Sequence, residues 1–129
     1  MHEKMIKASY ESATTRQIRE WTMSEKDQLQ QKAFKIIAEA GSAKSLAVLA
    51  LQAAKQQQIK AAERKLEEAR KYFNAAHHYH RDLVQKEAQG KDVQLSLIFM
   101  HAEDQLMSTE TIIILVEEMI EMYQLIHEK

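Results

Sequence analysis

The segment LIFMHAEDQLMSTETIIILV, residues 97 to 116, carries His101, Glu103 and Asp104 within an otherwise apolar helical stretch. An imidazole is mostly neutral at pH 7, so a free ring nitrogen can attack an electrophile or hold a metal. Asp104 follows His101 by three residues, which puts both on one helix face. Steps of four and three extend that line through Leu97, His101, Asp104, Ser108, Thr111 and Leu115. The spacing also suits a histidine hydrogen-bonded inside an interface. Burying an unpaired carboxylate is costly, so a partner side chain, water, a metal or a reaction must compensate Asp104.

A second polar cluster, AAHHYHRD, holds His77, His78 and His80 beside Arg81 and Asp82. Only His77 and His80 stand at a productive helical spacing for a shared ligand. A di-iron bundle needs ExxH on two helices, and the sequence contains neither ExxH nor HExxH. The spacing favours a partly exposed polar helix end over a metal site.

The elements that position these groups follow from composition. Two glycines and no proline in 129 residues leave too few breakers for the turns of a β-rich fold. Residues 1–23 read as a polar tail or a loosely attached extra helix, and 24–129 as one helical domain starting near Ser24. Leu29, Ala33, Ile36, Ala40, Ala43, Ala47, Ala50 and Ala54 define a first helical face, widened by Ile37, Val48 and Leu51. Gly41 within it is expected to mark close contact with a neighbouring helix. KQQQIK, residues 55 to 60, loses the pattern and holds the first turn. Ile59, Ala62, Leu66, Ala69, Phe73, Ala76 and Leu83 then mark a second helix, ending where Gly90 can take a left-handed C′ position.

A third helix is expected from near Val93 or Gln94 to His127, with a core face at Leu95, Ile98, Ala102, Thr109, Ile113, Val116, Ile120 and Tyr123. Together these predict an all-α, antiparallel three-helix bundle. Ile112 to Val116 are consecutive apolar residues and point all round the axis, so the third helix needs more cover than two helices supply. Another subunit is the expected source. The methionines, Tyr72, Phe73 and Tyr79 read as core or boundary packing.

Several function classes drop out. A net charge of −1 with mixed signs offers no basic stripe for nucleic acid. Without cysteine there is no disulfide framework, thiolate zinc site or cysteine nucleophile. No apolar run approaches the roughly 20 residues that span a bilayer, so no membrane insertion is expected. The start lacks the apolar core of a signal peptide, and the cytoplasm is the expected compartment.

Three stretches carry a family resemblance. SLIFMHAEDQLMST (96 to 109) resembles the HxQDHLMT-type segment of lactose/cellobiose-class enzyme IIA proteins of the bacterial sugar phosphotransferase system. AGSAKS (40 to 45) resembles that family's AG-x-AR-S, and AAHHYHRDLVQKEAQG (75 to 90) its EAH…QT…EA-x-G stretch. The resemblance covers roughly residues 25 to 127, in order and in register. It implies a homotrimer with the third helices around a threefold axis. It implies that His101 accepts a phosphoryl group from the histidine phosphocarrier protein and passes it to the cysteine of a IIB component. Uptake and phosphorylation of a lactose/cellobiose-type disaccharide would follow. It further implies that three copies of Asp104 gather around one divalent metal per trimer, Mg being the expected ion. His80 and Gln105 are the candidate neighbours of the phosphoryl group. Three departures from the family pattern stand out: Glu103 where it has glutamine, Gln105 where it has a second histidine, and His80-Arg81 where it has a Gln-Thr pair. The alternative reading is a non-enzymatic helical oligomer that keeps the scaffold for a regulatory or interaction role.

Overall fold

A computed structural model describes the backbone of residues 2–91 and 96–128, and the side chains of 26–91 and 96–128. Three helices follow one another: α1 (His2–Lys55), α2 (Ile59–Ala88) and α3 (Leu97–His127). Residues 1–31 form one compact unit and 32–129 another. Helical backbone begins at His2 and runs through Ser24, so the helix start expected there is absent. The segment has no proline and no glycine before Gly41, and nothing in it stops helix propagation.

The core is built on alanine. Ala33, Ala40, Ala43, Ala47, Ala50 and Ala54 of α1, Ala62, Ala69 and Ala76 of α2, and Ala102 of α3 are all buried. Small side chains let helix axes approach toward the short end of the usual 8–10 Å range. Ile36, Leu66, Leu83, Leu106, Ile113, Val116 and Ile120 fill the space between them. The predicted core faces hold, with Leu106 added. Leu95, Val93 and Gln94 lie outside the described residues.

Helices α1 and α2 end in the same hydrogen-bond pattern. At the end of α2, Gly90 has φ +82°, its N–H donates to Glu87 at 3.0 Å, and the Lys91 N–H donates to Lys86 at 3.1 Å. This is a Schellman cap, with glycine at the left-handed position. After α1, Gln57 N–H donates to Ala54 and Gln58 N–H to Ala53 at 3.1 and 3.0 Å. The left-handed residue there is Gln57, φ +65°. Its Cβ makes that conformation unfavourable by about 1–2 kcal/mol, partly offset on substitution by the greater freedom of an unfolded glycine. Gln57→Gly is therefore expected to stabilise the protein by about 1 kcal/mol, read as a shift of the urea midpoint at unchanged slope.

Side chains tie α3 to its neighbours. The buried Thr109 hydroxyl points at two carbonyl oxygens, Gln105 at 2.7 Å within the helix and Ala40 at 3.3 Å on α1. His127 donates from Nε2 to the Ala54 carbonyl at 3.1 Å and stacks on Tyr123. A cation or N–H donor is favourable there, at the negative end of α1. Arg70 on α2 reaches Glu117 on α3 at 2.9 Å, a half-exposed pair worth a fraction of a kcal/mol.

One contact works against folding. A hydrogen bond to Lys86, partial burial and repulsion by the Lys86 charge hold Lys32 below its usual 10.5, against the opposite pull of Asp82. A lysine depressed in the folded state opposes folding below that depressed value. The opposition fades as pH rises through it toward 10.5. Lys86→Gln should raise the denaturation midpoint at neutral pH and flatten the gain that the unmodified chain shows on the alkaline side.

Two expectations need correction. A Cβ built on Gly41 meets nothing within 4 Å, so no neighbouring helix of the described chain presses against it. Met100, Met107, Met119, Met122 and Tyr72 are exposed rather than packed, as is Val48. The methionines share the outer side of α3, where another helix would have to cover them.

Candidate functional site

Ser96 fixes where α3 begins. Its backbone is extended and its hydroxyl accepts the Phe99 N–H at 3.2 Å, satisfying one of the free donors of the first turn. The helix therefore starts at Leu97, and His101 falls in its second turn. Ala102, Leu106, Thr109 and Ile113 face the core, which turns His101 and Asp104 outward; both are exposed.

The outward side of α3 has an order that the polar spacing conveys only in part. Leu97, Met100, Asp104, Met107, Thr111 and Ile114 alternate in steps of three and four, and every one is exposed. Leu97 is 85% exposed and Ile114 55%. Alternation of this kind is the seam of a coiled coil, with Asp104 and Thr111 as its polar members. The stripe read from the sequence, through His101, Ser108 and Leu115, runs along one edge of this seam. Farther along, Met122 and Leu125 are 59% and 62% exposed and extend the same side.

At about 100° per residue, Gln105 lies about 40° from His101 and one turn above it, and Ser108 lies about 20° away two turns on. His101, Gln105 and Ser108 thus share one flank of the seam. A carboxamide and a hydroxyl there can donate hydrogen bonds to an anion carried on the imidazole.

His80 is placed differently. Its Nε2 meets the Glu103 carboxylate, the side chains being 18% and 37% exposed. Glu103 sits about 200° around α3 from His101, so within one chain His80 is on the other flank. The His77 ring lies between Phe73 and His80, with centroids 5.9 and 6.1 Å away. His78 approaches Asp82 at 4.0 Å. Among the described residues no three His, Asp or Glu side chains of one chain form a group able to hold a metal. The His77/His80 pair thus has no third ligand there. The described grooves between α1 and α2, lined by Glu39, Arg64, Glu68, Lys71 and Tyr72 and by Gly41, Ser45 and Leu49, contain none of the site residues.

Glu103 is the residue whose role sequence reasoning missed. The sequence presents it only as a charge to be compensated, and the structure places the His80 Nε2 against it. The signal was present: His80 and Glu103 both replace a glutamine of the family pattern, and the two replacements meet in one contact.

Fold and site together define a helical bundle that displays the His101 imidazole beside an exposed, largely apolar stripe of α3. Residues 31–124 match the family described as PTS system, Lactose/Cellobiose specific IIA subunit. The lichenan-specific phosphotransferase enzyme IIA component of Bacillus subtilis (strain 168) is 36% identical over 103 residues, spanning 80% of this chain and 94% of that protein. The crystal structure of the cellobiose-specific enzyme IIA from Bacillus anthracis is similar with a TM-score of 0.77 at 36% identity, covering 78% of this chain and 93% of the other. The solution structures of the IIA(Chitobiose)–HPr complex from Escherichia coli give a TM-score of 0.62 at 31% identity, covering 77% and 96%. The chain belongs to the lactose/cellobiose-type IIA family of the phosphotransferase system.

Proposed function

We propose that this chain is a cytoplasmic phosphocarrier that takes a phosphoryl group onto His101 from the histidine phosphocarrier protein and hands it to a IIB component. The reading serves uptake of a lactose/cellobiose-type disaccharide. The observation that carries it is the exposed imidazole of His101, at the position where the family pattern has its histidine, with Gln105 and Ser108 on the same flank. A related IIA is known in complex with HPr, which supports the choice of donor. Among the described residues no helix is long and apolar enough to cross a membrane.

The chemistry needs little beyond positioning. An unprotonated ring nitrogen of His101 attacks the phosphorus of the donor's phosphohistidine. A new N–P bond forms as the old one breaks, and the donor imidazole departs with the electron pair. Onward transfer exchanges the roles: the IIB thiolate forms an S–P bond while the N–P bond to His101 breaks. In-line approach and donors for the phosphoryl oxygens account for most of the rate, and Gln105 is the nearest candidate donor.

Three chains would close the α3 seam into a parallel trimer. The support is the alternation of exposed Leu97, Met100, Met107 and Ile114, a surface too apolar to leave in water. Asp104 would then face its two copies across the axis. Three carboxylates would supply hard oxygen donors that suit a divalent cation such as Mg. Asp104 is the residue that would hold the ion, whose charge would offset the mutual repulsion of the carboxylates.

The test is intact mass after incubation with phosphoenolpyruvate, enzyme I and the histidine phosphocarrier protein. One phosphoryl mass, lost in acid, is the expected result. No gain beside an active IIA control would instead favour the scaffold reading, in which Glu103, Gln105 and His80 mark lost transfer.

A further inference from the structure

We infer that residues 1–30 are a docking arm for the protein that carries the acceptor thiolate, the IIB component, which grips the arm by Ile6, Tyr10 and Trp21. The inference rests on the phosphocarrier reading above and adds to it the means of recruiting the acceptor.

The arm lies outside the part of the chain that does the chemistry. The family match begins at residue 31, and residues 1–31 form a compact unit of their own. Helical backbone nevertheless runs without a break from His2 to Lys55. On such a helix Ile6, Tyr10, Ala13, Gln17 and Trp21 follow in steps of three and four, which puts them within about 80° of one another. Trp21 is the chain's one tryptophan. Aliphatic and aromatic anchors spaced by helical turns are how a short helix fills a groove on a partner.

The point where the arm joins the bundle gives it a use. Within the bundle α1 and α3 run parallel, since Thr109 reaches Ala40 and His127 reaches Ala54. Counting back equally along both helices from Thr109 and Ala40 brings His101 level with Lys32. Lys32 is also the first residue of the bundle unit. A protein held by the arm is therefore tethered to the end of the bundle that carries His101. Tethering raises its effective concentration there without any new contact at the imidazole.

Three occupants compete, and two fail. The IIA(Chitobiose) chain in complex with HPr is matched over 96% of its length, which leaves no segment of this size beyond the match. That IIA engages its donor without such an arm. A second copy of the arm would need a coiled-coil seam. From Ile6, alternate steps of four and three pass Tyr10 and Ala13 and then meet Gln17, Glu20 and Ser24, too polar for a seam. The acceptor remains. The lichenan-specific relative is likewise matched over 94% of its length, and a segment it lacks suits a partner particular to this chain.

The experiment uses the full chain, the phosphorylated carrier protein as donor and the IIB protein of the same sugar system in the same organism. Tyr10→Ala combined with Trp21→Ala should raise the KM for IIB at least about tenfold at unchanged kcat. Uptake from the carrier protein should stay within about twofold, since alanine keeps the helix. Trp21→Phe keeps an aromatic anchor and should hold the KM within about threefold of the unmodified chain. A second readout needs no phosphoryl transfer. A chain labelled with fluorotryptophan gives one fluorine resonance, from Trp21, which should shift on adding IIB and stay put on adding the carrier protein. An unchanged KM, or a resonance that IIB leaves unmoved in a chain still active in uptake, overturns the inference alone. So does equal slowing of uptake and discharge, or a change of oligomeric state in the double variant, which would give the arm to self-association. Absence of uptake by the unmodified chain removes the phosphocarrier reading, and the inference with it.

Discussion

His101→Ala should leave a helical, assembled protein that gains no phosphoryl mass. The chemistry requires a lone pair on an accessible ring nitrogen, and alanine offers none. The fold asks nothing of His101: it is exposed, no described hydrogen bond depends on it, and alanine is the best helix former. Stability should stay within about 0.5 kcal/mol of the unmodified chain. Loss of uptake with an unchanged urea midpoint would separate a missing nucleophile from a damaged fold. The other histidines give the experiment its force, since His2, His77, His78, His80 and His127 all remain. Of those on α2 and α3, His78 is the most exposed imidazole, whereas His80 is engaged by Glu103 and His127 by a backbone carbonyl. An acid-labile mass gain surviving in His101→Ala would therefore place the acceptor on another histidine and refute the assignment.

The helices and their inner faces were legible because alanine and leucine recur at helical spacing without a breaker. The steps through Ala33, Ala40, Ala47 and Ala54 are a one-dimensional signal, and the structure keeps it. The Gly90 stop was legible for the same reason: glycine is the residue that the left-handed cap favours. Gln57 does the same job after α1 without announcing itself, because the conformation is imposed by the cap hydrogen bonds and tolerated by the side chain. Helix α3 begins later than apolar periodicity suggests, because the Ser96 cap rather than periodicity fixes its start. His101 and Asp104 could be found by type and spacing on one helix. Periodicity does not give the His80–Glu103 contact, since pairing between α2 and α3 depends on their mutual register; only the two replaced glutamines of the family pattern hint at it. Gly41 shows the opposite failure, a sequence oddity that the described chain gives no packing reason for.

Ile114→Glu is expected to convert the assembly to monomers while leaving each chain folded. The single chain already holds this side chain 55% exposed, so a carboxylate there is solvated and costs the bundle little. In the proposed trimer the same position lies on the seam. Three glutamates would converge near the axis in place of the apolar packing that Ile114 supplies. Each charge would have to leave water without a partner, a cost of several kcal/mol, and no lysine or arginine occurs from Leu97 to Leu125 to offset it. The penalty multiplies by three through the symmetry, which exceeds what a seam of six exposed positions per chain can absorb. Sedimentation equilibrium at micromolar concentration reads the outcome directly, with helicity by circular dichroism as the control for folding. A monomeric unmodified chain would sink the trimer, whereas a trimeric Ile114→Glu would keep the oligomer but move the axis off this stripe. The expected pattern is a trimer for the unmodified chain and a folded monomer for the variant.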